Sequence, residues 1–218
     1  MAVDPRSESR LWEVGVGNRR QRVFFGDQDY QLYRQLLSEH CERCAVQLRA
    51  YCLMPNHVHM IMVHRQSDNL NRSLADAHRR YTRPINFRKG WQGYLWQRRF
   101  ASFPMEKHHL LAAACYVELD PAGAGLCDAP EDWPWSSARA HLAGRDDDLL
   151  KASHMLSFVD DWGAYLSQST DARERETIRQ HARTGRTLRT EAFIENLEHD
   201  TGRRLRKRKP GPRRNRRN

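Results

Sequence analysis

The sequence predicts an α+β fold: a ferredoxin-like or RRM-like antiparallel sheet with helices on one face, then a helical C-terminal extension and a basic tail. Three observations predict it. First, apolar spacing switches between period two and period 3.6 in the order βαββαβα as far as Pro121. Second, 39% hydrophobic and 9% aromatic residues across 218 positions supply a core and argue against disorder. Third, charge is unevenly placed. Lys and Arg number 37 against 27 Asp and Glu, a net +10, yet residues 203–218 hold ten of the basic residues and no acid. The other 202 residues carry 27 charges of each sign, so a balanced body is followed by a cationic arm.

Residues 10–16 (RLWEVGV) read as a short strand that ends at Gly17-Asn18, with Arg19, Arg20 and Arg22 beyond. Asp27 is placed to N-cap a helix over 28–43, with Tyr33, Leu36, Leu37, Cys41 and Cys44 at helical spacing. Residues 46–53 alternate as a strand, Met54-Pro55-Asn56 breaks it, and 57–63 (HVHMIMV) form the next. A polar helix is predicted over 69–86, a strand over 95–103, and a helix over 106–119 that Pro121 stops. Beyond, WPWSS (133–137) reads as a packed loop, GRDDD (144–148) as a turn, and 171–183 and 191–199 as helices. These divisions give a domain over 1–145, a helical extension over 146–202 and a tail over 203–218.

Several functional classes fall away. No apolar run approaches the roughly 18–20 residues that span a bilayer, and MAVDPRSESRLWEV lacks the apolar region of a signal peptide. Five cysteines exclude a complete disulfide framework and point to a reducing cytoplasm. Cys41 and Cys44 form a CxxC with no second pair at finger spacing, which reads as two helix-facing thiols. The excess of positive charge points to a polyanionic partner.

Two segments could carry chemistry. In Tyr51-Cys-Leu-Met-Pro-Asn-His-Val-His59, the two histidines stand at i and i+2 of a strand, so both imidazoles face one side while Val58, Met60 and Met62 face the core. The pair can bind one divalent cation, or be two ordinary strand histidines. In Tyr116-Val-Glu-Leu-Asp120, Tyr116 and Asp120 share a helix face, beside an apolar stripe of Leu111, Cys115 and Leu119 that can pack on the sheet. Brought to two histidines, a tyrosine and a carboxylate make a site for phosphoryl transfer, in which the phenol attacks phosphorus. A free tyrosine, with a pKa of about 10, needs a metal or a cationic neighbour for this. Away from such histidines, the same residues are a packed tyrosine and a helix-terminal carboxylate.

YCLMPNHVHMIMV resembles the HUH motif of single-tyrosine transposases, in particular the REP-associated tyrosine transposases and their insertion-sequence relatives. GNRRQRVFF (17–25), WQRRF (96–100), CYVELDPAGAGL (115–126), WPWSSARAHL (133–142) and TGRTLRTEAFIENLE (184–198) resemble further family blocks, in family order. The resemblance implies an HUH palm in which His57, His59 and Asp120 hold Mg²⁺ or Mn²⁺. It implies that Tyr116 is the nucleophile, forming a 5′-phosphotyrosine link to DNA and leaving a free 3′-OH without ATP. The implied partner is single-stranded or hairpin DNA of the palindromic-repeat kind, handled in the bacterial cytoplasm at the nucleoid by a monomer, with a homodimer as the alternative. Arg19, Arg20, Arg98 and Arg99 are expected to contact DNA. So are Arg203, Arg204, Arg206, Lys207, Arg208 and Lys209 of the tail, through phosphates and without base readout.

The sequence also departs from the family pattern. Asp120 stands where Asn or Gln is usual, an equally hard oxygen ligand. Trp12-Glu13 and Val16 replace a His-Val pair and an Arg, and Pro121-Ala122-Gly123 replaces Pro-Val-Arg. These changes motivate the alternative of a hairpin-binding regulator on the same fold with weak or no cleavage. Tyr81, in basic HRRYTRPINF, reads as a packing residue rather than a second nucleophile. His109 lies two turns before Tyr116 and reads as solvated, and Trp133 and Trp135 read as a structural clasp.

Overall fold

The computed structural model describes residues 9–16, 21–64, 67–97, 101–104 and 107–168. Four strands, β1 (Ser9–Val16), β2 (Val46–Met54), β3 (His57–His64) and β4 (Ala101–Pro104), form one sheet in the order β2-β3-β1-β4, antiparallel throughout. With α1 (Asp27–Arg43) between β1 and β2 and α2 (Ser67–Lys89) between β3 and β4, this is the ferredoxin-like arrangement the element order predicts.

Helices α1 and α2 cover one face, packing Tyr33, Leu37, Leu74, Tyr81 and Ile85 against Leu53, Val58, Met60 and Met62. The third helix, α3 (Lys107–Gly123), lies instead on the opposite face, against Ala50, Cys52, Met54 and Ile61. Short helices α4 (Ala138–Ala143), α5 (Ser153–Leu156) and α6 (Trp162–Gln168) follow, and Met155, Trp162 and Leu166 cover α3 from outside. Helix α3 is therefore apolar nearly all round because it sits between two layers. Its deepest apolar residues are Leu110, Ala113, Ala114, Cys115 and Val117, so of the predicted stripe Cys115 is buried while Leu111 and Leu119 are only half-buried.

Strand β2 changes faces partway. Val46 and Leu48 point to the α1/α2 side, a bulge at Arg49 shifts the register, and thereafter Tyr51 and Leu53 take that side. The shift hands Ala50, Cys52 and Met54 to α3. The outer edge of β2 is occupied by the WPWSS segment: Leu53 N–H donates to Trp135 O (2.8 Å) and Ser137 N–H to Tyr51 O (2.9 Å). Trp135 stacks on Tyr30 at 4.7 Å and Trp133 Nε1 donates to Leu53 O (3.1 Å), so both tryptophans form the expected clasp and remove an exposed edge.

Some boundaries differ from the expectations. Gly26, not Asp27, is the N-cap of α1, and the buried Asp29 carboxyl takes the Phe25 N–H (2.8 Å) in place of a side-chain cap. Strand β4 does not begin at 95: Leu95 and Trp96 are buried in the α1/α2 core, and the described strand is Ala101–Pro104. Pro121 does not stop α3. It sits in the last turn, where its missing N–H removes one bond, and the helix closes at Gly125 (φ 68°) with Leu126 N–H donating to Pro121 O (3.0 Å). The predicted helices over 171–183 and 191–199, and the tail, lie outside the described residues.

Candidate active site

The β2–β3 hairpin positions the histidines. Met54 pairs with His57 across a two-residue Pro55-Asn56 turn, and Pro55 O is held by Val23 N–H (2.8 Å) and Phe24 N–H (3.2 Å). Period two then sends Val58 and Met60 into the α1/α2 core and leaves His57 and His59 on the α3 side.

There they meet Asp120. His57 Nε2 and His59 Nε2 are 3.0 Å apart, and Asp120 Oδ2 lies 3.3 Å from the first and 3.5 Å from the second. Asn56 Oδ1 accepts from His57 Nδ1 at 2.7 Å, which leaves the His57 Nε2 lone pair facing the other two atoms. Burial works to raise the Asp120 carboxyl, but the two imidazoles that approach it outweigh this and hold the group well below the usual carboxylate range. Burial pushes His59 the other way from a charged state, below the ordinary imidazole value, despite the carboxyl beside it.

Three potential ligand atoms thus converge on one another. Asp120 Oδ2 is buried and receives no well-formed hydrogen bond among the described residues. Ligands about 2.1 Å from one ion stand ~3.0 Å apart at right angles and ~3.4 Å apart in a tetrahedron, so the triangle is the size of one coordination face. Two imidazoles and a carboxylate suit a divalent ion of the first row or Mg²⁺. This is the one group of three or more His, Cys, Asp or Glu side chains among the described residues that could hold a metal. His59 is buried while His57 and Asp120 are half-buried, so the face is closed toward the sheet and open away from it.

Tyr116, one turn before Asp120 on α3, stands beside this triangle. Its ring meets the His59 ring edge-to-face at 5.7 Å and is itself half-buried. Of the predicted site residues, His57, His59, Asp120 and Tyr116 are therefore brought together. Arg19, Arg20, Arg98, Arg99 and the tail positions Arg203, Arg204, Arg206, Lys207, Arg208 and Lys209 lie outside the described residues. Tyr81 is fully buried, donates its hydroxyl to Val23 O (2.7 Å), and has its ionisation pushed far up by burial, so it packs as expected.

Two groups at the site escaped the sequence reading. One is Asn56, which orients His57. The other is Glu118, fully buried on α3 between Tyr116 and Asp120 in sequence. Its carboxyl accepts hydrogen bonds from Ser137 Oγ, His141 Nδ1 and Trp162 Nε1 (2.8 Å), tying α3 to α4 and α6. A lone acid on the apolar side of a helix was the available signal, since such a group requires partners.

A family model, transposase IS200 like, matches residues 12–120, half of the sequence and all of this site. The chain belongs to the IS200-like transposase family. The chain is similar to a provisionally named REP-associated tyrosine transposase of Haemophilus influenzae, 28% identical over 116 residues, 48% of this chain and 66% of that protein. It thus spans just under two thirds of that relative. It is also similar to the REP-associated tyrosine transposase of Escherichia coli, 21% identical over 134 residues, 61% of this chain and 78% of that one. A solved REP-associated tyrosine transposase bound to a REP hairpin shares the fold, with a TM-score of 0.54 at 19% identity over 68% of this chain and 90% of that chain. No helix among the described residues is long and apolar enough to cross a membrane.

Proposed function

We propose that this protein is a metal-dependent endonuclease and strand transferase for single-stranded DNA that carries hairpin or REP-type palindromic repeats. The observation that carries the proposal is the juxtaposition of Tyr116 with the His57, His59 and Asp120 triangle. A divalent cation, Mg²⁺ or Mn²⁺, held by these three side chains would polarise the scissile phosphate as a Lewis acid. Asn56 fixes the His57 tautomer so that Nε2 faces the site, and the β-hairpin holds the imidazoles rigidly in register. Tyr116 Oη attacks phosphorus. The Oη–P bond forms, the phenolic proton passes to solvent, the P–O3′ bond breaks, and the leaving oxygen departs as a 3′-hydroxyl. The product, a 5′-phosphotyrosine, is still a diester, so attack by another 3′-hydroxyl regenerates Tyr116 and joins strands without a nucleotide cofactor. The hairpin in the related structure and the cationic tail support hairpin DNA as partner, with Arg19, Arg20, Arg98, Arg99 and the tail as phosphate contacts.

The test is a denaturing gel of hairpin oligonucleotides from repeats in its own genome, incubated with Mn²⁺. A covalent protein–DNA band is expected for the parent and absent with chelator or in Tyr116→Phe. Chelator-insensitive binding with no such band on any repeat would replace this reading with a hairpin-binding regulator.

A further inference from the structure

One surface outside the site combines positive charge with exposed aromatic rings. Residues 77–105 contain seven Arg or Lys and no acid. On the outer face of α2, Arg79, Arg83 and Phe87 follow one another at i, i+4 and i+8. Arg79 pairs with Asp76 (3.1 Å), Arg80 with Glu39 (2.7 Å) and Arg88 with Asp29 (2.8 Å). Arg83 has no acidic partner among the described residues, and it is exposed.

The helix then ends in a rigid turn. Gly90 takes the left-handed conformation (φ 64°), its N–H donating to Phe87 O (3.3 Å) and Trp91 N–H to Asn86 O (2.9 Å). Asn86 Nδ2 donates to Gly93 O (2.8 Å), tying the loop back to the last helical turn. Trp91 rests edge-on against Phe25 at 5.8 Å, and Leu95 and Trp96 anchor the far end in the core. The loop is preorganised, yet Phe87 is 88%, Tyr94 87% and Trp91 40% exposed. Single exposed apolar residues are ordinary, but three aromatics within eight positions beside an exposed arginine are not. Aromatic faces flanked by arginine suit unpaired nucleobases, whose stacking tolerates any sequence while cations meet the phosphates.

The patch also lies at the active-site end of the sheet. Trp91 contacts Phe25, the neighbouring Phe24 N–H binds Pro55 O, and Pro55-Asn56 leads directly into His57. We infer that Phe87, Trp91 and Tyr94, with Arg83, form a stacking platform for unpaired nucleotides of single-stranded DNA. The inference deepens the function proposed above by giving the strand beside a hairpin its own contact surface.

The full chain would be tested by fluorescence anisotropy with labelled oligothymidine, a hairpin carrying an oligothymidine flank, and the same hairpin without it. The Phe87→Ala/Tyr94→Ala variant should bind oligothymidine and the flanked hairpin about tenfold more weakly or worse, and the unflanked hairpin within about twofold of the parent. Arg83→Gln should lower the slope of log affinity against log salt by about one on the flanked hairpin. Parent-like oligothymidine binding by the aromatic variant would overturn the inference, as would equal losses on both hairpins. So would a change in sedimentation showing that a second copy of the chain covers the patch. The metal- and Tyr116-dependent covalent band, scored separately at saturating DNA, distinguishes failure of the platform from failure of the enzymatic reading.

Discussion

Glu118→Leu is the perturbation that most severely tests how α3 is held. The substitution keeps an apolar side chain of similar bulk but strips Ser137 Oγ, His141 Nδ1 and Trp162 Nε1 of their common acceptor. All three groups belong to buried residues, so water cannot replace the carboxyl. A buried donor left unsatisfied costs about 1–3 kcal/mol, and breaking a buried network as a whole costs about 3–5 kcal/mol, since the losses overlap. For a chain of this size each kcal/mol lowers Tm by about 2–4 °C, so Glu118→Leu should melt about 6–20 °C below the parent. Glu118→Gln, which keeps one acceptor oxygen and the shape, should lose less than half of that. Circular dichroism melts of the full chain measure both. A Glu118→Leu melt within about 2 °C of the parent would refute the reasoning, as would equal losses in the two variants. Because Tyr116 and Asp120 ride on the same helix, the leucine variant should also form covalent adduct more slowly at temperatures where it remains folded.

Asp120→Ala should abolish Mn²⁺ binding measured by calorimetry, whereas Asp120→Asn, with an oxygen in the same place but no charge, should bind about tenfold or more weakly. His78 is buried, stacked on Trp96 at 4.2 Å, and pushed by burial from its ordinary value down to about 3. The unfolded chain therefore takes up its proton first as pH falls. Stability from this residue is full above about pH 6.5 and lost progressively toward pH 3, by about 2 kcal/mol at pH 5. Urea melts of His78→Phe should show a correspondingly flatter pH dependence over that window. Ala45, between α1 and β2, adopts φ 53°, the left-handed region that a Cβ disfavours. Ala45→Gly should stabilise the chain by about 1 kcal/mol, seen as a small rise in Tm.

Much of the site was legible because its parts are local. The i, i+2 histidines and the i, i+4 tyrosine and aspartate each depend on one regular element, and the Pro55-Asn56 break fixes the hairpin that starts β3 at His57. The βαββαβ order likewise determines the sheet once its connections are made in the usual sense. What was not legible depends on contacts distant in sequence. The alternation of 46–53 conceals the bulge at Arg49, which is set by pairing with β3 and by the bridge from Leu48 to Leu150. The segment 95–103 (LWQRRFASF) reads as one strand, yet Leu95 and Trp96 are buried in the core beneath α1 and α2 and the described strand is Ala101–Pro104. Nothing near Glu118 in sequence announces Ser137, His141 and Trp162. The third helix joins the far face because the histidine side of the sheet also needs cover, a requirement that appears only when the sheet is assembled.

The central claim, that Tyr116 is the group joined to DNA, is tested most directly by mass spectrometry. Covalent complex formed with Mn²⁺ and a cognate hairpin would be digested with nuclease and trypsin, and the nucleotide-bearing peptide sequenced. The expected result is a phosphodiester on Tyr116 and none on Tyr81 or any other tyrosine. Adduct on a different residue, or undiminished adduct in Tyr116→Phe, would contradict it.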